Sequence, residues 1–280
     1  MRDLHTTPHG SGDWIETRLD SAAPALDPDQ HHFLARQAIF DQMGEIHGYE
    51  LLFRRGRHNH FTGDSDAATR TMVDNWLIHG FDGVMERSPC FLNCTREALV
   101  SGLVTLLPRT RTVLELLETV NPDDEVVSAC KTLKRIGYGI ALDDFQFSKK
   151  MEPLVELADY VKIDFRLPEK QRRKTLRQLK GSDVTLVAEK IETEEELNIA
   201  FEEGFELFQG YFFGRPSIFS RRKTPVDIAH HHRVLEAMTA AWLEAQKQED
   251  STDEFRRLPQ ARGLLAMLQM ISAAQSLSPR

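Results

Sequence analysis

A chain of 280 residues, 41% hydrophobic and 28% charged, has room for one domain of about 200–250 residues with a small appendage, and its composition is that of a globular protein. A formal net charge of −8 argues against a nucleic-acid duplex as the main partner, because neutralising phosphates needs a basic face. The longest apolar stretches are strand-sized, so no segment is expected to span a membrane, and the first residues lack the apolar run of a secretory signal. Three cysteines without a CxxC pair (Cys90, Cys94 and Cys130) fit a reducing cytoplasm.

Residues 1–32 are polar and rich in Gly, Pro, Asp and His, and read as a flexible leader. Gln37–Asp41 and His47–Phe53 are expected as two strands joined by a turn at Met43-Gly44-Glu45. Residues 64–80 read as a helix stopped by Gly80. Strands and helices then alternate. The strands are Cys90–Cys94, Thr112–Leu117, Tyr138–Asp143, Tyr160–Asp164, Val184–Glu189 and Glu206–Gln209; the helices fall near 95–104, 122–136, 149–158, 168–180 and 193–203. Such alternation indicates a closed α/β barrel or a doubly wound sheet. After Pro216 it ends; residues 218–280 read as a helical extension, with apolar stripes over 226–247 and around Leu264–Ile271.

Polar residues sit at the C-terminal ends of successive predicted strands: Glu50, Asn93, Glu118, Asp143, Asp144, Lys162 and Glu189. In a parallel barrel those ends meet at one mouth, whereas an open sheet concentrates its chemistry at one switch point, so the barrel is favoured. Alternation along the strands supports this. Lys162 shares a face with Tyr160 and Asp164, and Asp143 shares one with the small residues Gly139 and Ala141. Five carboxylates, an amide and a lysine at one mouth make an oxygen-rich set suited to hard divalent cations. Glu115 lies on the strand face opposite Glu118 and reads as a structural pair partner. His230–His232 point in different directions on a helix and read as solvated, while His58 and His60 flank an Arg-rich turn.

Several segments resemble a known family. Tyr49-Glu50-Leu51-Leu52-Phe53-Arg54, Phe91-Leu92-Asn93, Glu115-Leu116-Leu117-Glu118, Asp143-Asp144-Phe145, Lys162-Ile163-Asp164, Ala188-Glu189-Lys190-Ile191-Glu192 and Gln209-Gly210-Tyr211-Phe212 resemble, in order, the motifs of EAL-domain cyclic di-GMP phosphodiesterases. The resemblance covers about Phe33 to Pro216 and is nearest the branch that carries an HDOD domain, for which the tail here is too short. It implies a TIM-like (β/α)8 barrel over 33–217 with one antiparallel opening strand. It also implies a two-ion Mg²⁺ or Mn²⁺ site for opening cyclic di-GMP to linear pGpG, in a homodimer.

On this resemblance Glu50, Asn93, Glu118 and Asp143 hold the first ion, and Asp143 bridges to a second that Asp144 also binds. Lys162 orients the attacking water, Glu189 is the general base or a ligand to a second-ion water, and Glu192 supports it. Gln37, Leu52, Arg54 and Gln209 contact the substrate. Two departures stand out. Gln146-Phe147-Ser148 replaces a Gly-Thr-Gly loop after Asp-Asp-Phe, and Lys190 replaces a glycine beside Glu189. An EAL domain that binds cyclic di-GMP or a protein partner without efficient turnover is the alternative expectation.

Overall fold

The computed structural model describes residues 14–17, 30–54, 65–79, 84 and 88–222. The helices expected beyond residue 222, together with His58, His60 and His230–His232, lie outside the described residues.

Ten strands form one sheet: β1 (Ile15–Thr17), β2 (His31–Asp41), β3 (Ile46–Arg54), β4 (Cys90–Cys94), β5 (Thr112–Leu116), β6 (Gly139–Leu142), β7 (Tyr160–Asp164), β8 (Thr185–Glu189), β9 (Leu207–Phe208) and β10 (Ser217–Arg222). From β3 to β9 each strand lies parallel to the next. Between them run α1 (Ser65–His79), α2 (Arg96–Val100), α3 (Asp124–Arg135), α4 (Glu152–Val155), α5 (Glu169–Leu179) and α6 (Glu194–Glu203). β2 closes the circle antiparallel to both β3 and β9, so β2–β9 form the eight-stranded barrel with one antiparallel opening strand. The β2–β9 closure is short, pairing only Phe40 with Phe208 and Asp41 with Leu207.

The opening strand starts six residues before its expected start at Gln37 because Phe33, Leu34 and Ala35 are buried and extend its apolar pattern. Its first half pairs with β10, which in turn pairs with β1, so the sheet continues beyond the closed barrel. Ile15–Thr17, within the stretch read as leader, is therefore a strand, with Trp14 buried beside it. Three residues carry too little periodicity to announce a strand, and their partner lies some two hundred residues away. Ser217–Arg222 likewise extends the sheet past residue 217.

Local chemistry explains the differences among the helices. Gly102 adopts φ 76°, so the stretch expected as one helix over 95–104 becomes α2 and a separate 3-10 turn at Leu103–Leu106. Pro153 sits in the first turn of the short α4, where its missing N–H costs no hydrogen bond. α3 begins at Asp123, whose carboxylate accepts from the Val126 N–H, and α6 at Thr193, which forms a reciprocal capping box with Glu196.

Two apolar layers flank the sheet. Inside the barrel Ile39, Phe91, Val113, Ala141, Val187 and Leu207 form a dry floor. Burying the Phe91 ring there contributes about 1.5–3 kcal/mol, and Gly48 makes room for it: a Cβ at Gly48 would sit 2.9 Å from Phe91 Cε2. Outside, helices pack on the second face of each strand, with all three cysteines buried and free. Among the described residues no helix is long and apolar enough to cross a membrane.

One buried ion pair ties α5 to α6. Arg172 Nε lies 2.6 Å from Glu203 Oε2, and its guanidinium stacks 3.9 Å from the Phe165 ring centroid. Arg172→Met is expected to lower unfolding stability by about 3 kcal/mol, because one buried partner loses its counter-charge. Urea denaturation checks this, and a midpoint unchanged from wild type would show that Arg173 alone satisfies Glu203.

Candidate functional site

Strand parity carries a set of polar side chains into the barrel above its apolar floor. In-register neighbours on adjacent strands face the same side, and the pairings Gln37 with Glu50, Asn93 with Glu115, and Asp164 with Glu189 run around the mouth. At their centre is Lys162, fully buried. Its ammonium lies 2.6 Å from Glu115 Oε1, 2.8 Å from Glu189 Oε1, 3.3 Å from Asp143 Oδ1 and 3.4 Å from Glu50 Oε2. Burial alone would lower the Lys162 pKa, but the four carboxylates outweigh it and hold it well above the usual lysine value. Burial pushes the Glu115 and Glu189 carboxyls up, against the pull of Lys162.

Glu115, read from sequence as a structural pair partner, is the carboxylate nearest the Lys162 ammonium. It is fully buried inside the barrel beside Asn93, Glu50 and Asp143, whereas Glu118 lies beyond the end of β5 and is exposed. Alternation along Thr112–Leu116 could have found it, since Val113 and Glu115 occupy the face opposite Thr112, Leu114 and Leu116. Glu118 still joins the rim: one carboxylate oxygen each from Glu118, Asp143 and Asp144 lies within 4.8 Å of the others.

The remaining expected residues divide. Gln209 is buried, and its amide donates to Glu50 Oε2 at 2.6 Å and to Gln37 Oε1 at 3.3 Å, so it orients Glu50. Gln37 and Leu52 are half-buried in the cavity wall. Glu192 is exposed at the rim and is not the cap of α6; Thr193 and Glu196 perform that task. Arg54 is the last residue of β3, paired in register with Phe33, and its side chain lies outside the described residues. A cavity of about 690 Å³ opens over the cluster, with a size usual for small-molecule sites, and Glu50, Asn93, Asp143, Asp144 and Glu189 line it.

Gly210 holds the far wall. A Cβ there would overlap the Ile191 backbone, so only glycine lets the chain after Gln209 pass this close to β8. Two non-glycine residues adopt left-handed backbone at the rim, Asp144 at φ 41° and Lys190 at φ 60°. Such a conformation costs about 1–2 kcal/mol per residue. Lys190 Nζ reaches Asp144 Oδ1 at 2.6 Å and Asp164 Oδ2 at 2.7 Å. Asp164 also accepts from Arg166; although its partial burial works the other way, the two cations hold its carboxyl down at about 2. In the loop that departs from the expected glycines, Gln146 accepts a 2.6 Å hydrogen bond from Gln171 of α5.

The donor set fits a hard divalent cation. Four acidic side chains surround one ammonium at the floor of the cavity, leaving excess negative charge. Asn93 Oδ1, Glu115 Oε2 and Glu189 Oε2 are buried with no hydrogen-bond partner. Unpartnered oxygens of this kind are costly unless a cation or water satisfies them.

Comparison with known proteins agrees with this geometry. The EAL domain profile matches residues 95–216. Cyclic di-GMP phosphodiesterase CdgJ of Vibrio cholerae is 39% identical over 196 residues, spanning 68% of this chain and 45% of the relative. The chain belongs to the EAL-domain family. YuxH of Bacillus subtilis is 35% identical over 215 residues, spanning 74% of this chain and 53% of that protein. The EAL-family chain thus spans about half the length of these curated relatives. Among solved structures, Bacillus subtilis YkuI, crystallised with cyclic di-GMP and calcium, shares the fold at a TM-score of 0.54 and 20% identity, covering 86% of this chain and 75% of that one.

Lys162→Met would leave four carboxylates facing one another with no cation. The metal-free protein is expected to lose about 3–5 kcal/mol of stability, read from urea denaturation in chelator. Added Mn²⁺ should recover part of that loss; a variant as stable as wild type in chelator would show that the lysine does not hold the cluster together.

Proposed function

We propose that this EAL domain hydrolyses cyclic di-GMP, opening one phosphodiester to give linear pGpG. The observation that carries the reading is the oxygen cluster around Lys162, with its excess negative charge and unpartnered buried acceptors, at the floor of an open cavity. Support also comes from the 39% identity to a named cyclic di-GMP phosphodiesterase.

Glu50, Asn93, Glu115 and Asp143 would hold one Mg²⁺ or Mn²⁺, and Asp143, Asp144 and Glu118 a second. Two bound ions supply charge for the phosphoryl oxygens and an activated water for in-line displacement. The protein's own groups do the rest. Lys162 fixes Glu189 through Oε1, leaving Oε2 free to take a proton from water as the new P–O bond forms; the bond to the ribose oxygen breaks, and that oxygen leaves as a hydroxyl by taking up a proton from solvent in the open cavity. Gln209 fixes Glu50, so barrel closure sets the geometry of that carboxylate. Leu52 and Gln37 supply wall contacts for the substrate, and Arg54 a phosphate contact. Buried free cysteines support placing the protein in a reducing cytoplasm, and a homodimer follows from the family resemblance.

A receptor role without efficient turnover is the second reading. It is favoured by the pairing of Asp144 with Lys190 and by the tie of Gln146 to α5.

Purified protein incubated with cyclic di-GMP and Mn²⁺ or Mg²⁺ should release pGpG, and Glu50→Ala or Asp143→Asn should abolish it. Binding of the dinucleotide without product, with either ion, would establish the receptor reading instead; neither binding nor cleavage would remove both. A second comparison separates Glu115 of β5 from Glu118 beyond its end. Glu115→Gln is expected to weaken Mn²⁺ binding about a hundredfold, and Glu118→Gln about tenfold or less, because only the former is a buried charge. Calorimetric titration reads both, and the reverse order would restore Glu118 as the inner ligand.

A further inference from the structure

The rim beside the catalytic cluster holds a cation that the chain itself supplies. Lys190 Nζ bridges Asp144 Oδ1 and Asp164 Oδ2 at 2.6 and 2.7 Å, with a side chain only one-third exposed. Asp144 is the carboxylate of the rim trio that would complete a second divalent site with Asp143 and Glu118. An ammonium and a divalent ion compete for the same oxygens, since each is attracted by the same excess negative charge.

Backbone strain points the same way independently of that contact. Lys190 stands at φ 60°, a conformation that glycine adopts freely and lysine does not, and its partner Asp144 is held at φ 41°. Lysine has no short polar group to stabilise the left-handed conformation locally, so its compensating interaction is the reach of its ammonium to the two aspartates. Asp164 is anchored from the other side by Arg166, whose Nη2 lies 2.8 Å away. That anchor fixes one end of the bridge and directs competition onto Asp144.

We propose that Lys190 is a tethered cation that occupies the Asp144 side of the carboxylate cluster, so that this chain holds one divalent ion tightly and admits a second only by displacing the lysine. The proposal rests on the metal-site reading above. It makes Lys190 a positioning residue that sets ion stoichiometry, and it makes turnover depend on divalent-ion concentration more steeply than a site with two free positions would.

Titration of the full-length protein with Mn²⁺, followed by calorimetry and by electron paramagnetic resonance, tests it. Wild type should bind one Mn²⁺ tightly and a second at least about tenfold more weakly. In Lys190→Gly, which also relieves the backbone, and in Lys190→Gln, the second ion should tighten by about tenfold or more, with the spin-coupled signal of a close Mn²⁺ pair appearing at lower concentration. Lys190→Arg keeps the charge and should retain wild-type stoichiometry. Two equal sites in wild type, or variants with an unchanged second affinity, would overturn the tethered-cation proposal and leave the metal reading intact. No Mn²⁺ bound by any of these proteins would overturn both.

Discussion

One ammonium group holds this site together. Lys162 enters the barrel from β7 and meets carboxylates delivered by β3, β5 and β8 and by the segment after β6. Bringing these acidic groups together is costly, and the buried ammonium among them offsets that cost. The apolar floor beneath excludes water from below, and the cavity above leaves one side open to a ligand. The arrangement compensates only part of the negative charge. The uncompensated part is what the proposed metal reading draws on, so the same cluster links the stability of the fold to its proposed chemistry.

Much of the fold was legible because it rests on local signals. Alternating strands and helices, the glycine stop after α6, and polar residues in place of hydrocarbon at strand ends all precede any knowledge of contacts. β1 was not legible: three residues gain their meaning from pairing with Ser220, Phe219 and Ile218, far along the chain. Gly102 broke a helix that the apolar pattern alone would have continued. In the site, Glu50, Asn93, Asp143, Lys162 and Glu189 are where their strands' parity puts them. Glu115 was legible by the same rule, but the strand was read one residue too long and the glutamate nearest its end drew attention. Gln209 was visible as a polar strand end, yet its role in orienting Glu50 is a contact between residues 159 apart in sequence, which no local pattern reports.

The departures from the family motifs are physically connected. Lys190 in place of glycine, Asp144 in a left-handed conformation and Gln146 held by α5 all lie on the same arc of the mouth. These departures adjoin the side of the mouth where Asp144 lies, while Lys162 remains surrounded by four acidic side chains.

The short β2–β9 closure stands directly against the chemistry of the cavity. Two residue pairs complete the circle, as few as join β6 to β7 or β8 to β9, while β2 gives its other half to β10. Gln209 and Gln37 reach across that join and, through Gln209, touch Glu50. Phe40 and Phe213 stack at 4.8 Å beside it. Gln209, bonded across the seam to Gln37 and inward to Glu50, therefore couples the closure of the ring to the position of that carboxylate. One of the barrel's shortest joins thus lies a single hydrogen bond from the carboxylate cluster.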